Sequence, residues 1–187
     1  QVHVQLRAYE LSGARRAGYR TWDDVAAWYS QLTEGMAAPD ASVSQAAKAA
    51  AGGGSKRKKL QAVQRFLQDE IVDVPTFYNL AALPVRKPAT VLKAKVGDAK
   101  DQASLGLAML QALGIGGFPV LVSRLGSFAT VPDLPTPAPF NHVLIAVPSG
   151  GRYSFLDPST PALPTGRLPG ALQGQRGLLI RAGRAEL

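Results

Sequence analysis

The stretch Val96-Gly97-Asp98-Ala99-Lys100-Asp101-Gln102-Ala103-Ser104-Leu105 decides how this chain folds. Asp98 has the side chain of a helix N-cap, and Asp101 stands three residues on, where a carboxylate suits the positive end of a helix. Behind them Ala103, Leu105, Leu107, Ala108, Met109, Leu110 and Leu113 cover most of a helical circumference, and Gly114 is placed to end the helix in a left-handed cap. A helix apolar nearly all round is a buried one. Ala99, in its first turn, lies at the positive end of the helix dipole beside free backbone N–H groups. A cysteine there would have a lowered thiol pKa and donors for a developing oxyanion, whereas alanine is inert.

Two further residues downstream complete the pattern. Phe140-Asn141-His142 opens one β run and Phe155-Leu156-Asp157-Pro158 closes the next. Pro148-Ser149-Gly150-Gly151 between them reads as a four-residue hairpin loop, which sets Val147 opposite Arg152 and His142 opposite Asp157. Opposed residues share a sheet face with Cβ atoms roughly 4.5–5.5 Å apart, so the carboxylate would hold one imidazole nitrogen. That contact fixes the ring's tautomer and stabilises the imidazolium. A single bulge would spoil it by shifting the register one residue.

Elsewhere the pattern is simpler. Gln1 to Leu6 alternates in the β manner, and a Gly/Arg-rich stretch runs from Ser12 to Arg20. Thr21-Trp22-Asp23-Asp24 has the form of a capping box, with Val25, Trp28, Tyr29 and Leu32 at helical spacing behind it, predicting a helix over Trp22 to Leu32. Ala41 to Ala51 is a second helix, broken by Gly52-Gly53-Gly54. Ser55 caps a third, whose apolar stripe is Leu60, Val63, Phe66, Leu67 and Ile71. Pro75 to Pro88 is irregular. Phe118 to Ser123 reads as a strand, Val131 to Pro139 as a proline-rich loop, and Asn141 to Val147 and Arg152 to Asp157 as two more strands.

Composition bounds the function. With 187 residues, 46% of them hydrophobic, the chain can bury one sizeable core, and one domain is the expectation. It has no cysteine, which excludes disulfides, thiolate metal sites and a thiol nucleophile in the chain as it stands. No apolar run approaches the ~20 residues of a membrane-spanning helix. The net charge of +8 comes partly from Ser55-Lys56-Arg57-Lys58-Lys59, which lacks the interleaved aromatics of a nucleic-acid surface and reads as a solvated helix face. A nucleic-acid partner is not expected. The chain starts at Gln1 with no signal-peptide pattern, so a processed product or a piece of a longer chain is expected.

Gly97-Asp98-Ala99-Lys100-Asp101-Gln102-Ala103, Phe140-Asn141-His142-Val143 and Leu156-Asp157-Pro158-Ser159, in that order, resemble the transglutaminase-like superfamily, in the bacterial branch found in multidomain envelope proteins. The resemblance runs from about Trp22 to Ile180 and includes Leu168-Pro169-Gly170. The family pattern has Cys where this chain has Ala99. The resemblance implies an α+β, papain-like fold: a buried central helix packed on an antiparallel sheet, with additional N-terminal helices. It divides the chain into a tail or remnant of a preceding domain over 1–20 and a transglutaminase-like domain over 21–187. Carried over residue by residue, Ala99 is the nucleophile position, His142 the general base and acid, and Asp157 its orienting partner.

The same resemblance implies acyl transfer to an amine or to water from a protein or peptide amide, through a thioester and with no metal or cofactor. It also implies a periplasmic or secreted location. Two readings of Ala99 stand side by side: a Cys-His-Asp enzyme whose nucleophile has been replaced, by engineering or natural loss, and a natural pseudoenzyme that binds or scaffolds peptides and proteins. Ser104, well inside the helix, is not placed to substitute for the sulfur. Tyr78 and Asn79 are candidate cleft residues, and a second oxyanion donor has no assignment.

Overall fold

The computed structural model describes residues 8–11, 13–74, 84–124 and 133–187. The β run at Gln1 to Leu6, Tyr78 and Asn79 fall outside the described residues, as does the start of the proline-rich loop. Ala8–Leu11 (β1) and Ala14–Ala17 (β2) form an antiparallel hairpin ahead of the first helix.

The N-terminal helices start and stop where their caps predict. Helix α1, Trp22–Leu32, begins with a reciprocal capping box in which Thr21 Oγ1 accepts from Asp24 N at 3.1 Å and the Asp24 carboxylate accepts from Thr21 N at 2.8 Å. Helix α2, Ala41–Ala51, is capped by Asp40 and ends on Gly52 in the left-handed region. Helix α3, Lys56–Glu70, starts on Ser55 and turns Leu60, Val63, Gln64 and Leu67 inward. Lys56, Arg57 and Lys58 are exposed, as a solvated face requires.

Two elements escape the sequence pattern. Val72–Asp73 (β3) pairs in parallel with Val96–Gly97 (β4), setting Asp73 beside Gly97. Pro88–Ala94 forms a helix, α4, where the reading of irregular chain passes straight to the central helix. It is seven residues long with proline at its first turn and no side-chain cap, so it carries almost no sequence signal.

The central helix α5, Ala99–Ala112, packs on a five-stranded antiparallel sheet of order β7-β6-β5-β8-β9. The strands are Phe118–Val122 (β5), His142–Ser149 (β6), Arg152–Leu156 (β7), Leu178–Arg181 (β8) and Arg184–Glu186 (β9). Strand β6 is buried on both faces from His142 to Val147. Val143, Ile145 and Val147 join the core beneath the helices. Leu144 and Ala146 join a smaller cluster with Val120, Val122, Leu172 and Leu179 on the other side. Gly106 permits the close approach of α5, because a Cβ there would sit 2.6 Å from Ile145 Cδ1 and 2.9 Å from Leu67 Cδ1. The fold is therefore the α+β arrangement expected, a buried helix on an antiparallel sheet with added N-terminal helices. Among the described residues no helix is long and apolar enough to cross a membrane.

The hairpin between β6 and β7 corrects the expected register. Ser149 pairs with Arg152 and Ile145 with Leu156, so the loop is the two residues Gly150-Gly151 rather than four. Both glycines have positive φ, +56° and +76°, as the tight turn of type I′ demands, and Pro148 and Ser149 continue the strand. His142 and Asp157 are thus not direct cross-strand partners. The slip is two residues, an even number, so they still share a sheet face as diagonal neighbours.

Candidate functional site

Asp157 follows the last residue of β7, where the chain turns at Pro158, and its carboxylate gathers three donors. Oδ1 lies 3.0 Å from His142 Nε2 and 3.2 Å from Ser159 N, while Oδ2 accepts from Thr160 Oγ1 at 2.7 Å. Burial pushes the Asp157 carboxyl up. The His142 hydrogen bond and charge, the Thr160 hydroxyl and the Arg124 guanidinium outweigh it and hold the group below the usual carboxylate range. His142 is 1% exposed and Asp157 is fully buried, so their contact is shielded from water. With Nε2 engaged by the carboxylate, Nδ1 is the imidazole nitrogen left for other chemistry.

The loop carrying Asp157 is tied down by α3. Gln68 Nε2 converges on the carbonyls of Asp157 (3.3 Å), Thr160 (2.7 Å) and Leu163 (3.3 Å), and Gln64 Nε2 donates to Leu163 O at 2.7 Å. Neither glutamine stands out in the sequence, where both look like polar positions of an amphipathic helix.

At the start of α5 the Asp98 carboxylate accepts from Lys100 N at 2.9 Å and Asp101 N at 3.0 Å, and Gln102 N opens the helical ladder on Asp98 O. Ala99 N, in the same turn, has no hydrogen-bond partner among the described residues. Lys100, 1% exposed, pairs its ammonium with Asp98. Arg86 clamps Asp101 from outside the helix: its Nε and Nη2 lie 2.8 and 2.7 Å from Oδ2, its backbone N 2.8 Å from Oδ1, and Nη2 also reaches Val96 O at 2.9 Å. The buried Tyr29 phenol is pushed up by desolvation and by the Asp98 and Asp101 charges, so it stays neutral.

Asp73 connects this helix start to the His142–Asp157 pair. It accepts from Gln102 Nε2 at 3.1 Å. Its carboxyl is raised chiefly by burial, with the charges of His142 and Arg124 opposing the rise and those of Asp98 and Asp157 adding to it. His142 pairs with Val122 at the end of the sheet, and α5 packs over Ile145 at Gly106. Asp73, bonded to Gln102 near the start of α5 and close enough to feel the charges of His142, Asp98 and Asp157, places the start of α5 and His142 at the same end of the structure. Asp73 was invisible to pattern reading because two residues make no strand signature, and Gln102 was visible only as a letter of the motif.

No family model matches the chain, and no curated protein does. Among solved structures it is similar to a putative protease from Parabacteroides distasonis, with a TM-score of 0.60 and 18% identity, over 83% of this chain and 30% of that one. A putative cysteine protease from Cytophaga hutchinsonii aligns over 63% of this chain and 37% of its own, with 18% identity and a TM-score of 0.44. The first likeness shows a shared fold. This chain spans under a third of that structure's length.

Proposed function

We propose that this chain is the Cys-His-Asp acyl-transfer or amide-hydrolysing domain implied by its motifs, with Ala99 at the nucleophile position and so without thiol chemistry as it stands. The observation that carries the reading is the buried His142 Nε2–Asp157 contact, whose orienting carboxylate leaves Nδ1 with no hydrogen-bond partner among the described residues. With cysteine at position 99, the thiolate would attack the carbonyl carbon of a peptide or glutaminyl amide. The amine would leave carrying the proton held by His142, and a thioester would remain on the sulfur. Water activated by His142 would complete hydrolysis, or a second amine would complete transfer. Ala99 N is the candidate backbone donor to the oxyanion.

Ala99 itself favours a second reading of the same site, a pseudoenzyme that holds a protein or peptide. Neither reading calls for a metal or cofactor. A periplasmic or secreted location, a longer parent chain and the tail-plus-domain division at residue 20 belong to the same proposal.

The test is the alkylation rate of Ala99→Cys against pH, alone and with His142→Ala. The chain has no other cysteine to confuse the signal. The expected result is a thiol pKa below ~8.5 that returns toward it when His142 is lost. A pKa near ~8.5 that ignores His142 overturns the reading. A lowered pKa without turnover of any amide favours the binding module.

A further inference from the structure

We propose that the end of the sheet remote from His142 is a cationic surface that docks on the anionic lipid headgroups of a membrane.

Strand β6 leaves His142 and reaches Ser149 about 24 Å further on. There β7 starts, with Arg152 opposite Ser149, and β8 turns into β9, with Arg181 opposite Arg184. The first turn of α3 is drawn to the same place, because Lys56 Nζ donates to Pro148 O at 2.6 Å. Arg181 joins the two sides of the sheet. Its guanidinium lies over the Phe118 ring, 5.0 Å from the centroid, and donates to the hydroxyl of Tyr153, which pairs with Pro148. Six exposed cations, Lys56, Arg57, Lys58, Arg152, Arg181 and Arg184, thus converge from elements far apart in the chain. The basic run of α3 alone reads as a solvated face, and the three arginines beside it are what the fold adds.

Two of these placements cost local stability. Lys56, Arg57 and Lys58 occupy the first turn of α3 with no acidic residue among them, at the positive end of its dipole. Arg181 and Arg184 are directly opposed across β8 and β9, a like-charged pair. Both arrangements become favourable against a negative surface.

The charge is not neutralised within the protein. The ion pairs among the described residues are Arg86–Asp101, Lys95–Glu70, Lys100–Asp98 and His142–Asp157, and none involves the six. Three carboxylates are brought toward this end: Asp23, whose Oδ1 accepts from Ala185 N at 2.8 Å, Glu34, next to the Thr33 that shares a cavity with Gly116 and Pro119, and Glu186 on β9. They number half the cations. Residues outside the described ones add no further carboxylate, since they contain no Asp or Glu.

Shape and chemistry select a lipid surface. From β7 to β9 the cations cross five strands, about 19 Å, with α3 beside them, so they cover an area rather than line a groove. A single strand of nucleic acid needs free ring faces on which to stack, but Arg181 covers Phe118 and holds Tyr153. The turns at this edge, Gly150-Gly151 and Ala182-Gly183, carry no large apolar side chain to enter the acyl region, so the contact is with headgroups. Docked this way, the protein turns its His142–Asp157 end away from the membrane.

The experiment is cosedimentation with vesicles of phosphatidylcholine alone or mixed in equal parts with phosphatidylglycerol. Binding is expected only to the mixed vesicles, and should vanish between about 0.1 M and about 1 M salt as the Debye length falls from about 10 Å to about 3 Å. Arg57→Gln/Lys58→Gln and Arg152→Gln/Arg184→Gln should each weaken the partition about 20- to 30-fold, at about five-fold per cation. Both pairs should fold, since one relieves the N-terminus of α3 and the other the Arg181–Arg184 repulsion. Lys87→Gln/Lys93→Gln, on α4 beside the start of α5, lowers the net charge equally but lies beyond a Debye length of the docked surface, so it should weaken binding about two-fold at most. No binding to the mixed vesicles at low salt, or a loss as large in the Lys87/Lys93 variant as in the other two, would overturn the surface. Release from the mixed vesicles by duplex DNA at an equal concentration of phosphate would overturn it too, and would assign the cations to nucleic acid instead.

Discussion

His142 Nε2 meets Asp157 Oδ1 at 3.0 Å although the ladder between β6 and β7 does not pair the two residues. The contact survives because β7 ends at Leu156 and the turn at Asp157-Pro158 lets the carboxylate lean back along the shared face, where Ser159 N and Thr160 Oγ1 fix it. The relationship depends on the turn after β7 more than on the hairpin register.

Asp157→Asn should therefore weaken the fold by about 2 kcal/mol at pH 7, since a buried carboxylate with charge-assisted partners is replaced by a group that matches them poorly. The carboxyl is held below its unfolded value, so its contribution is fully present above about pH 4 and is lost as pH falls through the folded pKa. Urea midpoints of the unsubstituted protein and Asp157→Asn should differ most at neutral pH and converge in acid. A gap that stays constant from neutral to strongly acid pH would mean the carboxylate's charge contributes nothing.

Gln68 offers a separate handle on the same pair. Gln68→Ala removes the amide that converges on the carbonyls of Asp157, Thr160 and Leu163, and should cost about 1–3 kcal/mol. The released loop should also loosen Asp157 from the imidazole and so change the surroundings of the His142 ring. The sequence has two histidines, His3 and His142, so the chemical shifts of the imidazole C–H protons at a fixed pH read this directly. A loss of stability with unmoved His142 ring signals would make Gln68 a structural tie without influence on the pair.

The contrast between what the sequence disclosed and what it hid follows signal length. Helices with side-chain caps, α1, α2, α3 and α5, were legible to within a residue, because Thr21, Asp40, Ser55 and Asp98 mark their starts. The strands around His142 and Asp157 were legible as apolar runs, but the turn was not. Gly150-Gly151 is a complete two-residue loop, and Pro148-Ser149 looked like loop only because proline is a poor strand residue. The seven-residue α4 and the two-residue β3 carry too little periodicity to see. Asp73 was lost with β3. Gln64, Gln68 and Arg86 act through backbone carbonyls or a distant carboxylate, which no local pattern encodes.

Gly106→Ala sets two effects against each other. Alanine gains up to about 1 kcal/mol of helix propensity over glycine, but its Cβ would press on Ile145 and Leu67, both fully buried. Overpacking a closed core costs about 1–3 kcal/mol, so the net should be a loss of about 1 kcal/mol, and Gly106→Val should be worse. Thermal melts of the two variants check the order. A stabilised Gly106→Ala would show that α5 can lift off β6 cheaply.

The two hairpin turns of the sheet are built alike and differ in one residue. Gly150-Gly151 joins β6 to β7, and Ala182-Gly183 joins β8 to β9 with Arg181 paired to Arg184, so both loops are two residues long. Ala182 holds φ at +49° and Gly183 at +77°, which places an L-residue with a Cβ in the left-handed region, at a cost of about 1 kcal/mol. Asparagine tolerates that region, and Asn-Gly is the preferred pair for a type I′ turn. Ala182→Asn should therefore stabilise the protein by about 0.5–1 kcal/mol, and Ala182→Val should destabilise it by more than that. Gly150→Asn, which replaces a residue already free of strain, should gain only from restricting the unfolded chain, about 0.5 kcal/mol at most. Denaturant midpoints for the three variants should rank Ala182→Asn above Gly150→Asn and Ala182→Val last. Equal midpoints for Ala182→Asn and the unsubstituted protein would mean that the β8–β9 turn opens before the rest of the sheet and contributes nothing to global stability.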